Sequence, residues 1–335
     1  MPTFSRRGLI SAALASAGGA AAFGALADQA MAQPAASTSP AGKVFAMKKS
    51  INLWAFPYPN LWSLEQCLRL AKEAGFDAVE LNYDLENDLS PKAGPRELAA
   101  IAKMAEKIGI EISGLCSFLF WPYPLTSNDA SKRDKGRELA TKMVEAAHHL
   151  GTDNLLVVPG AVTIPWRTDH EPVPNDVCDR RAREAIAGVL PLAEKLGVHL
   201  NIENIFFNGY LMTPQEMIDF VDSFKSEHVR VHFDTGNIML FQHPEHWIRQ
   251  LGSRIKNVHL KEFTTKGTDH SLESFRPLLD GTTNWPAVIQ AFEDVGYRGH
   301  LTFEYFHPYA NYPEALIFQT SDSLDRLLGK KTWKV

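Results

Sequence analysis

Cysteine is scarce: Cys67, Cys116 and Cys178 are the only three in 335 residues, an odd count that gives no disulfide framework. Excess positive charge is missing too. The chain has 34 Lys and Arg against 39 Asp and Glu, a formal net charge of −5, so it lacks the basic footprint of a nucleic-acid binder. Beyond the N-terminal region no stretch of about 18 apolar residues runs free of charge, and no stop-transfer span is expected. Nor does a Gly-rich phosphate fingerprint follow the first strand pattern, which argues against a doubly wound dinucleotide fold. What remains is ample hydrophobic content, 45% of residues, enough for a substantial core.

Residues 1–32 read as a targeting segment. Arg6-Arg7 make a twin-arginine pair, an Ala/Gly-rich run follows over 12–27, and Ala30-Met31-Ala32 sets small residues where a signal peptidase cuts. The lysine that often closes the twin-arginine pattern is missing, which leaves Sec export as the other route. The expectation is an exported, periplasmic protein with no stable membrane anchor after cleavage. Residues 33–49, rich in Pro, Ala and Ser, read as a flexible linker, and 50–335 as one catalytic domain.

From residue 50 onward short apolar runs alternate with helical patterns, eight times. The strands are expected at 51–56, 76–81, 110–115, 154–158, 198–203, 229–234, 255–260 and 300–304. Gly75, Gly109, Gly151, Gly197 and Gly296 stand at helix ends, and Pro214, Pro244 and Pro313 near helix starts. Strict βα alternation to a count of eight predicts an α/β fold, a (β/α)₈ TIM barrel in a single domain.

The last four strands carry an anomaly. Parallel strands covered on both faces should be almost continuously apolar, yet these alternate with a period of two. Val198, Leu200 and Ile202 oppose His199, Asn201 and Glu203; Val229, Val231 and Phe233 oppose Arg230, His232 and Asp234. Val258 and Leu260 oppose Asn257 and His259; Leu301 and Phe303 oppose His300, Thr302 and Glu304. The apolar faces must meet the helices, so the polar ones point into the barrel, where such groups need partners or chemistry. Each polar series ends at its strand's C-terminal end in a metal-competent residue: Glu203, Asp234, His259 and Glu304. Three carboxylates and one imidazole suit one hard or borderline divalent ion, Mn²⁺, Mg²⁺ or Co²⁺, with Zn²⁺ an alternative. A buried ion-pair network without metal is the other reading. One step deeper lie Asn201, His232, Asn257 and Thr302, expected to orient the ligands; on that view Asn257→Ala lowers metal affinity.

The segments Leu200-Asn201-Ile202-Glu203-Asn204, His232-Phe233-Asp234-Thr235-Gly236-Asn237, Val258-His259-Leu260-Lys261-Glu262 and Leu301-Thr302-Phe303-Glu304 resemble the xylose isomerase-like TIM-barrel superfamily. They are most similar to its sugar phosphate isomerase/epimerase group, which includes ketose 3-epimerases and hydroxypyruvate isomerases. The resemblance implies a metal held by Glu203, Asp234, His259 and Glu304. It further implies that Glu203 and Glu304 act as the catalytic pair, one removing and one returning a proton on opposite faces of a metal-stabilised cis-enediolate. Multi-metal DNA-repair endonucleases of the superfamily carry a histidine three residues after the aspartate; here that residue is Asn237.

The function expected is therefore a metal-dependent sugar isomerase or epimerase acting on a ketose or keto-sugar, with a small carbohydrate as its partner. A lyase or dehydratase on keto-glycosides or inososes, a non-catalytic sugar-binding protein and an endonuclease are the competing readings. Lys261, Asn237, Glu80, Trp121 and His307 are expected to contact substrate, with Trp54, Phe56 and Tyr305 as further wall candidates; Lys261 alternatively pairs with Glu80. Whether copies of the chain associate is left open.

Overall fold

The structure, a computed structural model, describes residues 43–267 and 271–332. The targeting segment and residues 33–42 of the linker lie outside the described residues.

Eight parallel strands close on themselves. They are β1 (Lys48–Asn52), β2 (Ala78–Asn82), β3 (Glu111–Cys116), β4 (Asn154–Val157), β5 (His199–Glu203), β6 (Val229–Asp234), β7 (Ile255–Leu260) and β10 (His300–Phe303). Neighbours run β1-β10-β7-β6-β5-β4-β3-β2, and closure comes where Ser50 of β1 pairs with Thr302 of β10. Two short strands, β8 (Glu262–Phe263) and β9 (Phe275–Arg276), form an antiparallel ribbon after β7. The TIM barrel expected from the alternation is the fold observed.

Local chemistry sets the helix ends. Ser63 and Gln66 cap the helix Leu64–Glu73 reciprocally, and Thr213 with Glu216 does the same for Pro214–Asp222. Pro occupies the first turn of the helices that start at residues 95, 214, 244 and 313, where its missing N–H costs nothing. Gly109 and Gly197 end their helices in left-handed geometry, φ 78° and 70°, which other residues adopt only with strain.

Two boundaries differ from the sequence expectation. The first strand lies earlier, at Lys48–Asn52, because the Asn52 side chain accepts from the Trp54 N–H and turns Leu53–Ala55 into a 3-10 helix. The apolar run beyond residue 52 is buried as a strand would be, which hid the turn. The end of the expected linker is likewise part of the barrel: Phe45 and Met47 are buried, and the Phe45 N–H donates to the Leu328 carbonyl at 3.0 Å.

Outward-facing Leu200, Ile202, Phe233, Val258, Leu260 and Phe303 are fully buried against the helices, each contributing roughly 1.5–3 kcal/mol of burial energy. Inward-facing residues are polar, and several bond to one another. Ser50 and Ser113 hydroxyls bond at 2.7 Å, Asn154 donates to the Ser113 carbonyl at 3.0 Å, and Asn201 donates to Asn154 at 3.1 Å. The three cysteines are buried free thiols. Among the described residues no helix is long and apolar enough to cross a membrane.

Candidate metal centre

Strands β5, β6, β7 and β10 are neighbours in the closed order, and each delivers one residue to the same point at its C-terminal end. Glu203, Asp234, His259 and Glu304 offer ligand atoms that all lie within 4.8 Å of one another, and all four are buried. His259 Nδ1 stands 3.6 Å from Glu203 Oε1, 3.9 Å from Asp234 Oδ2 and 3.2 Å from Glu304 Oε2.

The demand of this cluster is for positive charge. Asp234 Oδ2 and Glu304 Oε2 are buried, and the one ammonium that reaches them among the described residues is that of Lys261, a single charge set against the carboxylates of Glu203, Asp234 and Glu304. Converging buried carboxylates that outnumber the cations beside them are costly unless an ion completes them. Three carboxylate oxygens and one imidazole nitrogen then match a divalent ion with room for further oxygen ligands.

Each ligand is aimed by specific partners. Asp234 Oδ1 accepts the Gly236 and Asn237 N–H groups at 2.8 Å each, which turns Oδ2 toward the cluster. A Cβ on Gly236 would meet the Lys261 carbonyl at 2.8 Å, so this tight turn needs glycine. Asn204 clamps the same strand end, accepting from Asp234 N at 2.9 Å and donating to its carbonyl at 2.7 Å. His259 Nε2–H donates to Glu80 Oε2 at 2.5 Å, which makes Nδ1 the nitrogen that faces the carboxylates and the one available to an ion. Asn52 Nδ2 holds the same Glu80 oxygen at 2.7 Å.

Burial pushes the Glu203 carboxyl up to about 7, with the charges of Glu304 and Asp234 adding to the rise against a bond from His259. Burial alone would raise Glu304 too, but His259 and Lys261 outweigh it and hold that carboxyl down to about 2. Burial opposes charge on His259 and Lys261, yet the surrounding carboxylates lift both above their ordinary ranges. The two glutamates thus differ in proton affinity although they flank one point.

Several expected roles change. Glu80 is fully buried behind His259 and does not line the cavity, so it is a partner of His259 and not a substrate contact. Lys261 pairs not with Glu80 but with Glu304 and, at 3.0 Å, with Asp234 Oδ2. The deeper layer does not orient the ligands by hydrogen bonds. Asn257 donates to the Ser113 carbonyl at 3.4 Å, Asn201 to Asn154, and the Thr302 hydroxyl has no partner among the described residues. His232 touches a ligand only through its ring, edge-on to His259 at 4.1 Å between centroids; burial keeps it neutral. Period-two alternation put these residues on the right face, but it could not tell which atoms meet.

Of the expected wall residues, Trp54, Trp121, His307, Asn237 and Lys261 line a cavity of about 320 Å³ above the cluster, together with Glu203 and Glu304. Phe56 packs in the core beside Trp62, and Tyr305 is buried against Phe303; neither lines the cavity. Phe118, Trp166, Phe206, Phe275, Phe306 and Asn208 do line it and were not anticipated. They sit in loops or in the β8–β9 ribbon, where no periodicity announces direction.

The xylose isomerase-like TIM barrel family model matches residues 68–327. The chain is 26% identical over 273 residues to the L-ribulose 3-epimerase of Mesorhizobium japonicum, covering 80% of each protein. It is 24% identical over 280 residues to the L-ribulose-5-phosphate 3-epimerase UlaE of Escherichia coli O1:K1, covering 82% of this chain and 93% of that one. A solved structure of an IolI protein with a bound zinc atom superposes with a TM-score of 0.70 at 16% identity, over 85% of this chain and 99% of that one. By the length and placement of these matches, this chain belongs to the xylose isomerase-like TIM-barrel family.

Proposed function

We propose that the protein is a divalent-metal-dependent isomerase that moves a proton beside the carbonyl of a ketose or keto-sugar, inverting or relocating that centre. The observation that carries this reading is the convergence of ligand atoms from Glu203, Asp234, His259 and Glu304 within 4.8 Å on the floor of a cavity at the strands' C-terminal ends. Relatives named as 3-epimerases support the reaction class.

When bound, the ion supplies Lewis-acid charge for the negative oxygens of an enediolate; the donor set favours Mn²⁺, Mg²⁺ or Co²⁺ over softer ions. The chain supplies the rest. Inversion at carbon needs proton-handling groups on both faces, and Glu203 and Glu304 are the two glutamates that reach both the ion site and the cavity. Glu203 and Glu304 flank one point and both line the cavity, so one can take the proton from the carbon and the other return it. Lys261, buried beside Glu304, keeps that carboxylate charged and presents an ammonium to the cavity.

The test is incubation of Mn²⁺-loaded protein with ketoses in D₂O. Deuterium on a carbon beside the carbonyl, C3 for a 3-epimerase of 2-ketoses, with no group released is expected. Release of a group instead makes the protein a lyase, and neither outcome leaves a binding protein.

Export is part of the same proposal. The Arg6-Arg7 pair and the Ala30-Met31-Ala32 site support cleavage after residue 32. N-terminal sequencing of the protein from a periplasmic extract is expected to begin at Gln33; an intact Met1 in the cytoplasm contradicts it.

A further inference from the structure

The cavity is uneven in chemistry. Its floor holds the charged groups Glu203, Glu304 and Lys261. Above them, on one side, rings follow one another without a break. Centroids lie 5.2 Å apart from Phe306 to Trp54, 6.4 Å from Trp54 to Phe118, 6.5 Å from Phe118 to Trp121 and 4.9 Å from Trp121 to Trp166. The inner end is fixed at the floor, because the Lys261 ammonium sits 5.0 Å from the Phe306 centroid. Exposure recurs along the run: Phe306 is 37% exposed, Phe118, in its middle, 45%, and Trp166, at its far end, 40%.

One sugar ring held at the floor covers only the inner end of this run. The outer rings stay in water, and a contiguous line of large exposed rings leading out of a cavity marks a binding surface. Indole faces bind flat apolar faces, whether the C–H face of a sugar or an aryl ring.

The wall also says what does not bind there. Among the described lining residues Lys261 is the only Lys or Arg, and its ammonium is engaged by Glu304 and Asp234. No guanidinium offers the fork that a phosphate takes, and a phosphate would face Glu203, Glu304 and Glu273.

Resting on the reading of the floor as a metal-dependent keto-sugar centre, we propose that the run from Phe306 to Trp166 is a subsite for a second ring. The substrate is then a phosphate-free keto-glycoside: its keto ring lies at Glu203 and Glu304, and its aglycone, a glycosyl or aryl ring, packs into the angle between Trp121 and Trp166, whose planes cross at 74°. This separates the chain from relatives whose names specify a sugar 5-phosphate.

The test is calorimetric titration of the Mn²⁺-loaded protein with methyl β-D-glucoside, phenyl β-D-glucoside, cellobiose and D-fructose 6-phosphate. Phenyl glucoside or cellobiose is expected to bind about ten-fold more tightly than methyl glucoside, the size of one good ring stack. Trp166→Ala, at an exposed position, and Trp121→Ala are each expected to remove most of that preference, with thermal melting confirming the fold. Equal affinity for the glucosides, a preference unchanged in both variants, tighter binding of fructose 6-phosphate, or no binding of any glucoside overturns the proposal. The readout is a ratio of affinities, so its failure is distinct from a failure of deuterium exchange, which would overturn the isomerase reading.

Discussion

Glu80 Oε2 accepts the Nε2–H of His259 at 2.5 Å, and this bond decides which face of the imidazole meets the cluster. The pair lies under the candidate metal centre, with His259 fully buried and Glu80 held from the other side by Asn52. A carboxylate behind a ligating histidine fixes its tautomer and raises its basicity. Replacing Glu80 by Gln keeps the shape and removes the charge. The variant is expected to bind Mn²⁺ about 10–100-fold more weakly in competition with a chelator. Unchanged affinity would mean that Glu80 is only part of the barrel's packing.

Asn257→Ala gives the contrasting result. Its side chain bonds to the Ser113 carbonyl and not to a ligand, so the cost falls on the fold. A loss of about 1 kcal/mol in denaturant unfolding is expected, with Mn²⁺ affinity the same as in the parent protein. A large loss of affinity would restore the direct role that its place in the strand pattern suggested.

Lys261 competes with an ion for Asp234 and Glu304 while supplying charge to the cavity. Lys261→Met is therefore expected to raise Mn²⁺ affinity and to lower turnover by about 10²-fold, the usual effect of deleting one charge-stabilising group. Metal titration and kcat measured on the same preparation check both halves. Weaker metal binding would show that Lys261 organises the ligands.

The pH dependence follows from the two glutamates. Glu203 has its proton affinity raised by burial to about 7 against an ordinary 4.5, so the folded, metal-free protein holds a proton there that the unfolded chain releases. Stability of the metal-free protein therefore falls as pH rises from about 4.5 to 7 on account of this group. Glu304 acts in the opposite sense: held at about 2, it contributes stability above 4.5 that is lost as pH falls toward 2. Thermal melts of the metal-free protein between pH 5 and pH 7.5 are expected to show a decline that Glu203→Gln makes shallower, Asp234, Glu262 and His259 contributing the rest. An identical slope in the variant contradicts the assignment.

How much of this was legible depended on periodicity. The period-two alternation in β5, β6, β7 and β10 placed Glu203, Asp234, His259 and Glu304 on one inner face; the register pairs Asp234 with His259 directly and staggers Glu203, opposite His232, and Glu304, two residues past the partner of His259. Glu80 was legible as a site residue, since Val79 and Leu81 alternate with Glu80 and Asn82 along β2, but alternation could not tell a partner of His259 from a substrate contact. The start of β1 was obscured by burial: Leu53, Ala55 and Phe56 are as buried beyond the strand as Ile51 is within it. The aromatic wall was least visible. Phe118, Trp166 and Phe306 stand in connections between strand and helix, and their meeting depends on loop paths that no repeat in the sequence encodes.

The central claim is that Glu203, Asp234, His259 and Glu304 hold one ion. Anomalous diffraction from a crystal of the protein soaked in Mn²⁺ tests it most directly. A single peak within coordination distance of all four side chains is the expected result. No peak, or a peak instead between Glu80, His232 and His259, where three further ligand atoms lie within 4.8 Å of one another, would contradict it.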